Sequence, residues 1–319
     1  MKLIDMHCDT VSELYKKEKT ETLAKNSLCV DLEKLEKAGS RIQFFACFVN
    51  AGRYRQERWE KAYREVFSMI NWIRTQENKK FRCISSIKEL EQREKEKQIS
   101  GIITVEEGGI LNGETGRLES LYQAGVRLVT LTWNYENCIG YPNSRDSESM
   151  RKGLKPFGIQ TVRAMNARGM VVDVSHLSDG GFWDCLREST APVAATHSNA
   201  RSLCPHPRNL SDEMLRALGE KGGVVGLNFY SAFLREKGRA DIQDIVRHGL
   251  HILECAGEDT VALGTDFDGF DREDLPGGIR GIQDMEKIWE AFKRAGVKER
   301  QLDKIWYKNV GRILHDVWK

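Results

Sequence analysis

The 319-residue chain is short of several things, and each shortage removes a class of function. It has no charge excess: 49 Lys and Arg face 47 Asp and Glu, for a net charge of +2. A nucleic-acid binder would show a basic surplus or stripe, so no nucleic-acid partner is expected. It has no apolar run near the roughly 18 residues of a membrane-spanning helix, so no membrane partner is expected either. The start, Met1-Lys2-Leu3-Ile4-Asp5-Met6-His7-Cys8-Asp9, lacks the apolar stretch and small-residue cleavage site of a secretory leader. It has no C-x-x-C pair; its 8 cysteines are scattered, and several, such as Cys47, lie in apolar segments where a thiol acts as a small hydrophobe. A reduced, cytoplasmic protein is the expectation. With 6 Pro, no Pro/Gly/Ser linker and no low-complexity stretch, nothing divides the chain, and residues 1–319 read as one domain.

What is there is a repeating pattern. Eight β-branched, apolar runs occur at 2–9, 42–50, 99–107, 126–133, 169–176, 192–198, 222–229 and 260–266. Runs apolar on both faces suit parallel strands. Between them lie helical patterns at 31–38, 56–77, 114–124, 157–168, 179–188, 211–221, 240–256, 282–295 and 306–317. In the second of these, Trp59, Tyr63, Val66, Ile70 and Ile73 share one face. Ser211 suits a helix N-cap, and Gly222 with Gly223 can stop the helix that it begins. Alternating strands and helices give a parallel sheet, and eight strands favour closure into a (β/α)8 TIM barrel with inserted loops and extra helices. An open doubly wound sheet is the rival. It would want a G-x-G-x-x-G after the first strand, which instead ends in His-Cys-Asp.

In such barrels the chemistry sits at the C-terminal ends of the strands. Five of the eight runs end in a titratable or metal-type residue: His7 with Asp9, Glu106 with Glu107, His176, His197 and Asp266. The i, i+2 spacing puts His7 and Asp9 on one side of a strand and turns Cys8 away. Unpaired charges are rarely buried for packing alone, so their gathering at one rim points to divalent metal. The set exceeds what one tetrahedral zinc needs, so two ions are expected, with water activated between them. Asp266 is the candidate general base and acid.

The ordered motifs resemble the membrane (renal) dipeptidases, zinc enzymes related to the amidohydrolases. They are Ile4-Asp5-Met6-His7-Cys8-Asp9, Val105-Glu106-Glu107-Gly108-Gly109, Leu128-Val129-Thr130-Leu131-Thr132, Asp173-Val174-Ser175-His176, Thr196-His197-Ser198-Asn199-Ala200-Arg201, Pro207-Arg208-Asn209 and Gly264-Thr265-Asp266-Phe267-Asp268-Gly269. Lys308-Asn309-Val310-Gly311-Arg312 is similar to the family's C-terminal helix. The resemblance implies a binuclear zinc dipeptidase acting on dipeptides with a free C-terminal carboxylate and tolerating a C-terminal D-residue. His7 and Asp9 would hold one zinc, and His176 and His197 the other. Glu107, the acid directly before Gly-Gly, would bridge the two Zn2+ ions, with Glu106 facing away. Asp266 would carry the proton to the leaving amine. Arg208 would grip the substrate carboxylate, helped by Tyr230. Relatives are often dimers, so a homodimer is the implied assembly.

One motif departs from the family. Where well-studied members carry a carbonyl-polarising histidine after Thr-Leu-Thr, this chain has Trp133 followed by Asn134. The indole N–H or the Asn134 amide is the remaining candidate donor. The departure keeps two other readings open: a related amidase or β-lactam hydrolase, and a metal-binding protein without catalysis. No lysine lies between Val126 and Trp133, which disfavours the branches that bridge their metals with a carbamylated lysine.

Overall fold

A computed structural model describes residues 2–17, 21–96 and 98–318. Among the described residues nine parallel strands run β1 (Leu3–Asp5), β2 (Ser40–Phe48), β3 (Phe81–Cys83), β4 (Ile99–Glu106), β5 (Val126–Thr130), β6 (Val171–Asp173), β7 (Ala194–Ala195), β8 (Val224–Leu227) and β9 (Val261–Leu263). Eight of them follow one another in the order β1-β2-β4-β5-β6-β7-β8-β9. The expected (β/α)8 barrel is therefore present. The ninth strand, β3, lies off this path and pairs with β4.

The seam between first and last strands closes just past their ends. Met6 N–H donates to Leu263 C=O at 2.9 Å, and Asp266 N–H donates to His7 C=O at 3.1 Å. The Asp5 carboxylate reinforces it, accepting from Thr265 N–H at 2.8 Å and from Thr265 Oγ1 at 2.8 Å.

One face of each strand fills the barrel. Ile4, Ile42, Phe44, Ile102, Leu128, Val171, Ala194, Val224 and Ala262 form one buried cluster, one or two from each of the eight barrel strands. Val310, Ile313, Leu314 and Val317 from the last helix (Asn309–Val317) join it and stopper the end opposite the polar rim. The alternate strand residues, such as Ile103, Val105 and Val129, pack outward against the helices.

The strands are shorter than the apolar runs, for a local reason. Past Val171–Asp173, the Asp173 carboxylate accepts the N–H groups of Ser175 at 3.0 Å and Thr196 at 2.9 Å. Side chains thus take over amides that would otherwise continue the ladder, and the backbone is free to turn at the rim.

The helix Ile242–Ala256 starts with a capping box between Asp241 and Asp244 and buries His248 completely. His248 Nδ1 accepts Ala200 N–H at 3.1 Å, and Nε2 faces Leu234 C=O at 3.0 Å. Only the neutral ring with its proton on Nε2 satisfies both. Burial pushes this imidazole down to about 4. The unfolded ring titrates near 6.5, so its contribution is complete above that pH and is lost as pH falls toward 4. By pH 4.5 the loss is roughly 2–3 kcal/mol. Urea unfolding of wild type and His248→Gln at pH 7 and 4.5 checks this. The variant's stability should fall less between the two pH values, and an equal fall excludes a neutral buried ring.

Candidate metal centre at the barrel rim

The strand-end residues singled out in the sequence converge on one rim, except that Glu106 and Glu107 exchange roles. His7 lies beyond β1, where the chain changes phase: Met6 packs inside the barrel and Cys8 outside it. This turns His7 and Asp9 into the rim together, with His7 Nε2 3.3 Å from Asp9 Oδ2. Cys8 points away, its Sγ on Phe44 C=O.

The exchange concerns the paired glutamates. Glu106, not Glu107, enters the cluster. Its Oε2 lies 3.3 Å from His7 Nε2, and its Oε1 lies 2.9 Å from His176 Nε2 and 3.6 Å from His197 Nε2. Strand phase is the cause: Glu106 shares parity with Ile102, which points into the barrel. Glu107 leaves the strand at φ 104° and turns under the loop. Its Oε1 accepts Gly109 N–H at 2.9 Å and Asn137 Nδ2 at 2.7 Å. Asn137 in turn donates to Leu131 C=O, so Glu107 ties the loops after β4 and β5 together. The two glycines permit it: a Cβ on Gly108 would meet Leu131 O at 2.8 Å, and one on Gly109 would meet Glu107 Oε1 at 2.6 Å.

Two relays aim the histidines. Thr196 Oγ1 lies 2.7 Å from Asp173 Oδ2 and 2.7 Å from His197 Nδ1. The carboxylate only accepts, so the hydroxyl proton goes to it, Nδ1 donates to the hydroxyl, and Nε2 presents its lone pair to the rim. Asn134 Oδ1 sits 3.2 Å from His176 Nδ1 and fixes that ring in the same sense. Asp173, Thr196 and Asn228 carry no metal-type signature in the sequence, and their roles emerge from the fold. Asn228 Nδ2 donates to Asp266 Oδ2 at 2.8 Å, leaving Oδ1 3.7 Å from His7 Nε2.

The electrostatics ask for positive charge. Burial pushes Glu106 up to about 7 and Asp266 up to about 6. Burial disfavours charge on His7, but Glu106 and Asp9 outweigh it and hold the ring well above the usual imidazole range. Burial, Arg208 and His7 hold His176 and His197 far below it. His7 Nε2, His197 Nε2 and Asp9 Oδ1 are buried with no hydrogen-bond partner. Buried carboxylates and imidazole nitrogens converging here, several without a hydrogen-bond partner, are the donor set of a divalent cation, which would take the place of the protons they otherwise hold. Two groups of donor atoms each lie within 4.8 Å: His7, Glu106 and His197, and His7, Asp9 and Asp266. Among the non-glycine residues with positive φ are Glu107, His176, Asp266 and Asp268, all at this rim. Such backbone persists where surrounding contacts fix it, and it clusters at functional sites.

The rim opens into a cleft of about 370 Å3 whose walls include Phe48, Trp133, Asn134, Tyr230 and Phe270. Trp133 stands where the polarising histidine was expected, its ring 4.8 Å from Phe48 and 6.4 Å from His176. Tyr230 stacks on Phe270 at 5.0 Å. Arg208 is buried close by, bonded to two neutral acceptors: Ser198 Oγ at 3.4 Å and His197 C=O at 3.1 Å. Its Nε has no partner.

The family model for membrane dipeptidases, peptidase family M19, matches residues 1–319. The chain belongs to that family. It is thus a metal-dependent hydrolase, a dipeptidase by family. An uncharacterised protein of Klebsiella pneumoniae is 38% identical over 247 residues, covering 74% of this chain and 89% of its own length. An uncharacterised dipeptidase of Schizosaccharomyces pombe is 38% identical over 209 residues, covering 63% of this chain and 48% of its own, so the match spans about half of that fungal relative. Among solved structures, an M19 metallo-dipeptidase superposes with a TM-score of 0.91 at 27% identity, covering 100% of this chain and 99% of that one. A metallopeptidase from Rhodobacter sphaeroides, liganded with a phosphinate mimic of L-Ala-D-Ala, superposes with a TM-score of 0.89 at 25% identity, covering 100% and 99%. Among the described residues, no helix is long and apolar enough to cross a membrane.

Proposed function

We propose that this M19 protein is a binuclear zinc dipeptidase whose two ions share the Glu106 carboxylate. One observation carries the reading: the two oxygens of Glu106 face different histidines, Oε2 toward His7 and Oε1 toward His176. His7 and Asp9 would hold one ion, and His176 and His197 the other. When bound, the ions supply Lewis-acid activation of water and of the scissile carbonyl.

The chain's own residues do the rest. Asp266 takes a proton and delivers it to the leaving amine, held at Oδ2 by Asn228 so that Oδ1 is free. Arg208 receives the substrate's C-terminal carboxylate, for which a buried guanidinium with an unused Nε–H is suited. Tyr230 lines the cleft and is proposed to help hold that carboxylate. Asn134 orients His176 and is near enough to the cleft to donate to substrate. Tolerance of a C-terminal D-residue is supported by the L-Ala-D-Ala mimic bound to the Rhodobacter relative. The 8 free cysteines suit a reducing, cytoplasmic compartment. A homodimer is proposed on the family resemblance alone.

The test is a dipeptide panel, D-residues included, run with metal analysis on the same sample. Two zinc ions per chain and hydrolysis that a chelator abolishes and zinc restores are expected. Amidation of the substrate's C-terminus should lower kcat/KM by about 10²-fold or more, the scale of a lost charge-assisted pair. Cleavage of the amide at the same rate removes Arg208 from its role. Equal cleavage of N-acetylated peptides favours the amidase reading.

A further inference from the structure

Away from the rim, a second group of donors gathers on the outer layer. His251 and Cys255 stand one turn apart on the helix Ile242–Ala256, and Asp212 opens the helix Asp212–Glu220 facing it. His251 Nε2 is 2.8 Å from Asp212 Oδ1, 2.9 Å from Ser202 Oγ and 3.3 Å from Cys255 Sγ. The Asp212, His251 and Cys255 ligand atoms all lie within 4.8 Å of one another. Without an ion, Asp212 gathers the group: its Oδ1 accepts from Ser202 Oγ at 2.9 Å and from His251 Nε2 at 2.8 Å. With the protons gone the same atoms are a ligand set, in which a metal ion takes the Nε2 lone pair, the carboxylate and the sulfur.

We propose that Asp212, His251 and Cys255 form a peripheral site for one divalent ion of the zinc type, with Ser202 or water as the fourth ligand. The donor set is nitrogen, sulfur and carboxylate oxygen, which suits a borderline-soft ion and not calcium or magnesium. Ligand atoms around a tetrahedral zinc lie about 3.3–3.7 Å apart, so the side chains need open by only a few tenths of an ångström. The group is half-exposed, with side-chain exposures of 22% for His251 and 32% for Asp212, so an ion can enter from solvent. On binding, the Cys255 thiol releases its proton to water as the sulfur–metal bond forms. Arg216 and Glu254 flank the group with opposite charges.

The position gives the site a purpose. Residues 196–211, between β7 and Asp212–Glu220, carry His197 and Arg208. Ser202 lies within this loop and Asp212 directly follows it, while His251 and Cys255 belong to the helix that these two touch. His248, one turn earlier on that helix, already holds Ala200 N–H. A bound ion would fasten the loop to the helix at a second point and so stiffen the mount of Arg208.

The proposal is independent of how many ions the rim holds, because the rim presents no thiol. Metal-free protein reloaded with two equivalents of zinc per chain, enough for the rim alone, is titrated with cobalt(II), and the near-ultraviolet sulfur-to-cobalt charge-transfer band is followed. The band should saturate at about one equivalent per chain, vanish in Cys255→Ser and require roughly tenfold more cobalt in His251→Gln. Excess zinc should raise the melting temperature of wild type by roughly 5 °C and leave Cys255→Ser unmoved. Absence of the band at tenfold excess cobalt, its survival in Cys255→Ser, or its growth without saturation overturns the proposal.

Discussion

Glu106→Gln lowers dipeptide hydrolysis by at least about 10³-fold and strips bound metal, whereas Glu107→Gln keeps wild-type metal content. The first expectation rests on the two-sided placement of Glu106, 3.3 Å from His7 Nε2 and 2.9 Å from His176 Nε2. Glutamine keeps one oxygen and turns an NH2 toward the other neighbour, where it can ligate nothing. Losing even a partner that merely orients a metal ligand costs about 10–100-fold, and losing a shared ligand costs more. Glu107 faces Gly109 N–H and Asn137, so its amide loses charge-assisted bonds and lowers stability by about 1–3 kcal/mol. Metal analysis and melting curves of the two variants separate the roles. Metal loss in Glu107→Gln with retention in Glu106→Gln would sink the assignment.

The second large effect is at Asp266. Asp266→Asn is expected to lower kcat by about 10²–10⁴-fold, the usual scale of general acid–base catalysis, with KM little changed. The substitution is nearly isosteric, and asparagine tolerates the φ of 59° found there. A Cβ on the neighbouring Gly269 would lie 2.5 Å from both Asp266 Oδ1 and Asp9 Oδ2, so the carboxylate is seated against backbone. Metal content decides what is lost. Retained metal with lost kcat marks a proton carrier, and lost metal marks a ligand. The pH profile carries the same information. Burial raises Asp266 to about 6, and bound cations pull it lower. Activity that needs the ionised carboxylate therefore falls as pH drops through a value at or below about 6, and the residual activity of Asp266→Asn lacks that acid limb.

Much of this molecule was legible in its sequence, and the parts that were not share a cause. The eight barrel strands announced themselves because they are apolar on both faces, and five of the eight runs end in a titratable or metal-type residue. The strand Phe81–Cys83 did not, because Arg82 within it is exposed and it pairs only with β4, off the barrel. The helix Ile87–Lys95 did not because it buries little beyond Leu90 and Arg93. The helix 306–317 was readable as an element, but its first turn is a π-helix at Lys304–Lys308, which periodicity cannot show. Between Glu106 and Glu107 the family likeness favoured the acid beside the glycines. Strand phase, readable from Ile102 and Thr104, favoured the other, and phase prevailed. Asp173 and Thr196 were beyond reach for a different reason. Their work is done through hydrogen bonds to His197 across two strands, and nothing in a linear pattern marks a relay.

The seam of the barrel also sets a schedule for the growing chain. Asp5 and Thr265, which fasten the first strand to the last, are 260 positions apart. At ribosomal rates of about 5–20 residues per second, the first strand waits roughly 13–50 s for its partner. Through that interval His7 and Asp9 are made but have no Asp266 beside them, and the edge of β1 has no neighbour on that side. A nascent chain can therefore hold its metal in the final geometry only after Thr265 has emerged. The interval before that is when the unpaired edge is exposed to aggregation and most in need of a chaperone.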